Sequence, residues 1–301
     1  MAKVVVVTRE DIVRVLRDLG VRRGMGLMVH SSLSAFGWVE GGAETVIAAL
    51  MEAVGPEGTL LLPSFNHGAA FRPDGPGYYD PRQTPTTNGR IPDTFWRLSG
   101  VYRSLNPTHP FAAWGKNALR YLENHHLTLT LGEDSPLGLL AREGGYQLNL
   151  GTTHHTSTAK HVAEIMRRVP CLGLRTEEYP VRLPDGRRVK HRTWSWRERA
   201  CPLTDSGEFI DREMERRGWQ RKGKIGQATV TFFRLWDFLE VVWFLLENGY
   251  EGHLPCSRCP IRPRRTSTSV KSDWIEEQKR AVAAGAAPRE VVAETQAAFQ
   301  P

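Results

Sequence analysis

The chain has 301 residues, 40% of them hydrophobic and 24% charged, the balance of a globular protein with a substantial core. Four cysteines are too few for a disulfide framework, and no apolar run reaches membrane-spanning length, so composition excludes a disulfide scaffold and a helical membrane protein and predicts a cytoplasmic location. A net charge of +7 favours anionic partners such as nucleic acid, a phosphorylated cofactor or an acidic surface.

Thr8-Arg9-Glu10-Asp11 has the form of a capping box. Ile12, Val15, Leu16 and Leu19 follow at helical spacing, with Gly20 placed to end the helix. Leu27-Met28-Val29 reads as a buried strand, and residues 30–37 as a polar loop of small residues. Gly41-Gly42 leads into a helix carrying Val46, Ile47, Leu50, Met51 and Val54, stopped by Gly55-Pro56-Glu57-Gly58 before the strand Thr59-Leu60-Leu61-Leu62. This β-loop-α-β unit implies parallel pairing in a layered α/β domain. Residues 66–110 read as long irregular loops with a short helix around 91–98, the kind of loop that carries function. Helices are predicted over 112–123 and 135–142, a strand over 147–150, a helix ending near Arg168, a hairpin over 175–196, a helix over 209–217, a strand over 226–233 and a helix over 235–246. The expected organisation is one α/β domain over 1–271 and a helical, Ala-rich tail over 272–301.

The densest chemistry lies in His154-His155-Thr156-Ser157-Thr158-Ala159-Lys160-His161-Val162-Ala163-Glu164. A hydroxyl-rich turn there feeds a helix whose first turns carry His161 and Glu164 on one face, since residues at i and i+3 are neighbours. A histidine kept neutral by the positive helix end and made more basic by a carboxylate can take a proton from a substrate amine or hydroxyl. The plain alternative is a solvated charged pair. The loop 30–42 ends at a helix N-terminus and offers backbone N–H groups and hydroxyls suited to phosphate or pantetheine amides, although Glu40 and Glu44 disfavour a phosphate on the helix end itself.

Other patterns carry less. Residues 218–224 match most of a Walker A loop, but Ile225 stands where the Mg²⁺-binding hydroxyl belongs. Cys256 and Cys259 could begin a zinc site with His253, yet no second pair follows and Cys171 and Cys201 are isolated in sequence. The zinc-protease arrangement of histidines is absent, so no catalytic metal is expected, and no Gly-x-Ser-x-Gly elbow is present. A nucleic-acid-binding reading rests on net charge and the basic stretch 258–271, and no recognisable motif supports it.

Taken in order, several segments resemble the aminoglycoside 3-N-acetyltransferase family, the antibiotic N-acetyltransferases. They are Met28-Val29-His30-Ser31-Ser32-Leu33-Ser34-Ala35-Phe36-Gly37, Val39-Glu40-Gly41-Gly42-Ala43-Glu44-Thr45-Val46 and Gly55-Pro56-Glu57-Gly58-Thr59-Leu60, then Arg103-Ser104-Leu105-Asn106-Pro107-Thr108-His109-Pro110, Ala112-Ala113-Trp114-Gly115, Thr158-Ala159-Lys160-His161-Val162-Ala163-Glu164 and Gly223-Lys224-Ile225-Gly226-Gln227-Ala228. The resemblance spans about residues 8–250. It implies an α/β layered sandwich with a mostly parallel central sheet, of antibiotic N-acetyltransferase type and distinct from the GNAT fold, whose pyrophosphate signature is missing.

The resemblance further implies an acetyl-CoA-dependent N-acetyltransferase. His161 is then the base and Glu164 its partner. His30, Ser31, Ser32, Leu33, Ser34 and Thr158 hold the co-substrate, and Asp205, Asn106 and His109 face the acceptor. The expected partner is a small-molecule amine, with no membrane; a homo-oligomer is compatible with the sequence. Asn106, Pro110 and Ser157 depart from the family's pattern, the first two on the acceptor side. The positive net charge suits CoA phosphates and gives a polycationic aminoglycoside little steering, which points to a non-antibiotic amine as the alternative acceptor.

Overall fold

The computed structural model describes residues 6–169, 171, 176–183, 185–194 and 200–259; the expected tail 272–301 and most of the basic stretch 258–271 lie outside them. Strand β1 (Val6–Val7) leads into helix α1 (Arg9–Asp18), whose capping box forms as predicted: Asp11 N–H donates to Thr8 Oγ1 at 3.2 Å, and Thr8 N–H donates to Asp11 Oδ2 at 3.2 Å. Then come β2 (Gly26–Ser31), β3 (Trp38–Val39), α2 (Gly42–Val54) and β4 (Thr59–Pro63), which complete the predicted parallel unit with β2 beside β4. The middle of the chain gives α3 (Arg90–Phe95), β5 (Tyr102–Arg103), β6 (Phe111–Gly115), α4 (Ala118–Leu122), α5 (Pro136–Arg142) and β7 (Tyr146–Leu150). The remainder gives α6 (Ala159–Met166), the hairpin β8 (Thr176–Arg182) and β9 (Arg188–Trp194), then α7 (Glu208–Arg216), β10 (Gln220–Ile225), β11 (Ala228–Arg234) and α8 (Leu235–Asn248).

Seven strands form the main sheet in the order β10-β11-β7-β2-β4-β6-β5. The centre, β7-β2-β4, is parallel, while β11 and β6 run against it, so five of the seven strands point one way. Both faces are covered. Leu27, Val29, Leu60, Leu62, Leu148 and Leu150 turn toward α1, α2 and α3, and the alternating Met28 and Leu61 turn toward the side of α5, α6 and α8. These central strands therefore read as near-continuous apolar runs, as parallel strands buried on both faces must. Each such side chain contributes about 1.5–3 kcal/mol on burial.

Two elements differ from the sequence-based expectation. The predicted helix 112–123 is β6 followed by the one-turn helix α4: Phe111-Ala112-Ala113-Trp114 pairs antiparallel with β4, and Gly115, at φ 99, turns the chain out of the strand. The Walker-like segment 218–224 is the edge strand β10, hairpinned to β11. Its only fully buried side chain is that of Ile225, so it carries no apolar signal of its own.

Period-two alternation also places the polar residues. His30 shares a sheet face with Met28, and its register partner on β7 is Asn149. Gln147 and Asn149 are fully buried on β7 beneath α6, where Gln147 Nε2 donates to Asn149 Oδ1 (2.8 Å) and to Ser157 Oγ (2.6 Å). A polar floor thus lies under the first turn of α6, in an otherwise apolar layer.

Candidate active site

The turn from β7 to α6 is tightly held. Gly151, at φ 68, takes a left-handed conformation in which a Cβ would overlap the Cβ of Ala35 and press on the Ser32 carbonyl. The backbone of 151 therefore lies directly against the 32–35 turn. Ser32 N–H donates to Leu150 O at 2.9 Å across the same junction. On the other side Gly207 packs so closely that its Cβ would collide with the backbone of residues 154 and 155. Three loops (32–35, 151–158 and 201–207) meet there, all at the same end of the parallel strands, the usual place for a site in an α/β sheet.

His161 and Glu164 are brought together as their spacing predicts. His161 Nδ1 and Glu164 Oε2 lie 3.0 Å apart. The Glu164 side chain is 1% exposed, that of His161 13%. The second carboxylate oxygen accepts from Thr204 Oγ1 at 2.9 Å. The carboxylate is thus fixed from both sides, in the chain Thr204–Glu164–His161. Thr204 is the site residue that sequence reasoning missed; its neighbour Asp205 drew attention instead. Asp205 is turned inward, its Oδ2 accepting from Cys201 N–H (2.6 Å) and its Oδ1 3.6 Å from Lys160 Nζ. It braces the 201–205 turn and does not meet the dyad.

The residues expected to hold the co-substrate line two adjoining cavities. The larger, of about 800 Å³, is bounded by Ser31, Ser32, Leu33 and Ser34 on one side and by Trp38, Gly42 and Arg90 on others. The smaller, of about 250 Å³, includes His30, Phe65, His67, His155 and Thr158. Ser31 and Asn88 border both. Thr158 therefore stands at the inner cavity, where its backbone N–H lies 3.4 Å from His30 Nε2. Ser31 Oγ is buried and, among the described residues, has no hydrogen-bond partner.

The histidines divide by environment. Burial, with the positive charges of Lys160 and His154 behind it, pushes the His30 pKa down to about 3, so His30 is neutral and accepts from Thr158. His109, one of the expected acceptor residues, lies edge-on to Phe65 and His67, with ring centroids 5.0 and 5.2 Å away. Its pKa is held well below the usual value by burial first, then by His67, His125 and His161. Asn106 does not reach the inner cavity: it is fully buried, its Oδ1 accepting from His109 N–H (2.9 Å) and Thr108 N–H (3.3 Å). It shapes the turn that presents His109.

These buried histidines make a stability prediction. His30 and His126 are depressed to about 3 and His125 to about 4, from an ordinary 6.5. Between those values the unfolded chain binds protons that the folded one refuses. Stability is therefore complete above pH 6.5 and falls as pH drops, by up to about 1.4 kcal/mol per unit for each histidine. Thermal melts at stepwise lower pH are expected to show a steady fall in Tm beginning near the unfolded value; a flat profile down to about pH 4 contradicts the assignment.

Residues 28–247 match the family model for aminoglycoside 3-N-acetyltransferase. The chain is 33% identical over 261 residues to the SPbeta prophage-derived aminoglycoside N(3')-acetyltransferase-like protein YokD of Bacillus subtilis (strain 168), covering 79% of this chain and 92% of the relative. It is 33% identical over 272 residues to aminoglycoside N(3)-acetyltransferase VII of Streptomyces paromomycinus, with 81% and 94% covered. Among solved structures, AAC-IIIb in binary complex with CoASH superposes with a TM-score of 0.73 at 27% identity, over 83% of this chain and all of that one. With a family model over residues 28–247 and relatives 33% identical over most of their length, the chain belongs to the aminoglycoside 3-N-acetyltransferase family, a family of acyltransferase enzymes.

Proposed function

We propose that the protein transfers the acetyl group of acetyl-CoA directly to an amino group of an aminoglycoside or similar amine, with His161 as general base. The observation that carries this reading is the Thr204–Glu164–His161 chain on α6, the helix that starts just after Thr158 of the smaller cavity. An ammonium has no lone pair with which to attack a thioester; His161 Nε2 takes the proton, and the buried Glu164 carboxylate stabilises the imidazolium. The amine nitrogen then bonds to the thioester carbonyl carbon. Thr158 and the N–H groups of the 31–34 loop are the donors for the oxyanion. Ser157 takes no part, because it is fully buried and accepts from Gln147 Nε2. The acylated nitrogen, now strongly acidic, releases its second proton to solvent; collapse breaks the C–S bond, and the imidazolium returns its proton to the CoA thiolate. No acyl-enzyme is required.

The larger cavity takes the co-substrate in this reading, and that the co-substrate is acetyl-CoA is supported by AAC-IIIb, a structural neighbour solved in binary complex with CoASH. Ser31 supplies an unpartnered hydroxyl and Arg90 a cation for phosphate. Ser31→Ala and Arg90→Ala are each expected to raise the dissociation constant of acetyl-CoA by about threefold to thirtyfold, the worth of one neutral or charge-assisted hydrogen bond. Calorimetric titration checks this. If only acceptor affinity responds, the loop belongs to the other substrate.

The named relatives support an aminoglycoside acceptor. One observation favours a less charged amine. Around the dyad, among the described residues, the carboxylates of Glu164 and Asp205 are already engaged, by His161 and Thr204 and by Cys201 and Lys160. A screen of sisomicin against simple mono- and diamines, read as CoA release, separates the two. Efficient turnover of sisomicin with inert simple amines establishes the first; the reverse pattern establishes the second.

A further inference from the structure

Lys160 is the second residue of α6, yet only 5% of it is exposed. Both circumstances count against a lysine. A cation in the first turn meets the positive end of the helix, and a buried ammonium loses solvation that its partners must replace. The partners here are specific. Nζ donates to the carbonyl oxygen of His155 at 2.8 Å and to that of Asp205 at 3.3 Å, and it lies 3.6 Å from Asp205 Oδ1. His155 reaches the same place: its Nδ1 is 2.7 Å from the Asp205 carbonyl oxygen, and since a carbonyl only accepts, Nδ1 carries the proton. Asp205 Oδ2 in turn accepts from Cys201 N–H at 2.6 Å, which closes the 201–205 turn. One residue before Asp205, Thr204 Oγ1 donates to Glu164 Oε1 at 2.9 Å.

We propose that Lys160 is a positioning residue for the His161–Glu164 dyad: it ties the 201–205 turn to the 154–156 turn and so keeps the Thr204 hydroxyl on Glu164. The proposal rests on the reading of His161 as general base. Thr204 occupies one oxygen of the carboxylate, and the other then faces His161 Nδ1 at 3.0 Å. The two turns already touch, because Gly207 leaves no room for a Cβ against the backbone of residues 154 and 155. That contact is non-directional packing. Lys160 adds directional bonds to a carbonyl on each turn and so sets how one turn sits on the other. Replacing a buried charge by an apolar side chain of similar size is often neutral for stability, so the ammonium is retained here for geometry. Lys160 itself touches no reacting atom in this scheme; its effect passes through Asp205 and Thr204.

The test is a double-mutant cycle on the full chain, read as CoA release from acetyl-CoA with sisomicin, with calorimetric titration of acetyl-CoA and a thermal melt on each protein. Lys160→Met keeps the length of the side chain and removes the ammonium. It is expected to lower turnover by about threefold to thirtyfold, the range of coupling between groups of one network, with acetyl-CoA affinity unchanged. Thr204→Val cuts the same path one step later. In the Thr204→Val background, Lys160→Met is therefore expected to cost less than about twofold more. If Lys160→Met does not fold, Lys160→Gln takes its place in the cycle. Undiminished turnover in the lysine variant overturns the proposal, and so does the same fold-loss in both backgrounds, which would mean that Lys160 acts by another route. A loss of acetyl-CoA affinity in step with turnover also overturns it, as general distortion of the site. Undiminished turnover in His161→Ala, run alongside, overturns the general-base reading itself; an inactive His161→Ala beside a fully active Lys160→Met overturns this proposal alone.

Discussion

His161→Ala is expected to lower turnover by about two to four orders of magnitude, the usual contribution of a general base. The expectation follows from position. His161 is held by Glu164 through Nδ1, its side chain keeps 13% exposure, and it sits at the junction of α6 with the loops that line the cavities. The residues bordering the larger cavity do not include it, so acetyl-CoA affinity should be nearly unchanged. Steady-state rates with calorimetric binding on the same preparation give both numbers. A variant of undiminished turnover removes His161 from the mechanism, and a variant that loses acetyl-CoA binding makes it a structural residue instead.

Glu164→Gln is expected to have the next largest effect, about tenfold to a thousandfold on turnover. The amide preserves size and can still accept from Thr204, but it removes the negative charge beside Nδ1. That charge stabilises the imidazolium formed as the amine loses its proton, so its loss raises the barrier of the transfer. Steady-state rates of the variant check this, and an undiminished rate would remove Glu164 from the mechanism.

The features most legible in the sequence were local. The i,i+3 spacing of His161 and Glu164 placed both on one helix face, and Thr8-x-x-Asp11 gave the cap of α1. The apolar runs 27–29 and 59–62, separated by a glycine-bounded helix, gave the parallel unit at the sheet centre. What escaped depended on partners distant in the chain. β6 lacks alternation, since Ala112 and Ala113 suit helix and strand alike, and only its pairing with β4 decides. β10 is a charged edge strand that exists because β11 hairpins onto it. The same limit explains the site. Thr204 reaches Glu164 from forty residues away, and Asp205 turns inward toward Lys160.

No helix among the described residues is long and apolar enough to cross a membrane. The excess of positive charge is consistent with an anionic co-substrate.

The most direct test of the account is mass spectrometry of the products formed from acetyl-CoA and an amine acceptor, sisomicin first, by the wild-type chain and by His161→Ala side by side. The account predicts one acetyl group gained by the acceptor for each CoA released by the wild-type protein, no acetyl left on the protein, and a trace of product from the variant. Equal product from both proteins, or acetyl accumulating on the wild-type chain in the absence of acceptor, would contradict direct transfer with His161 as the base.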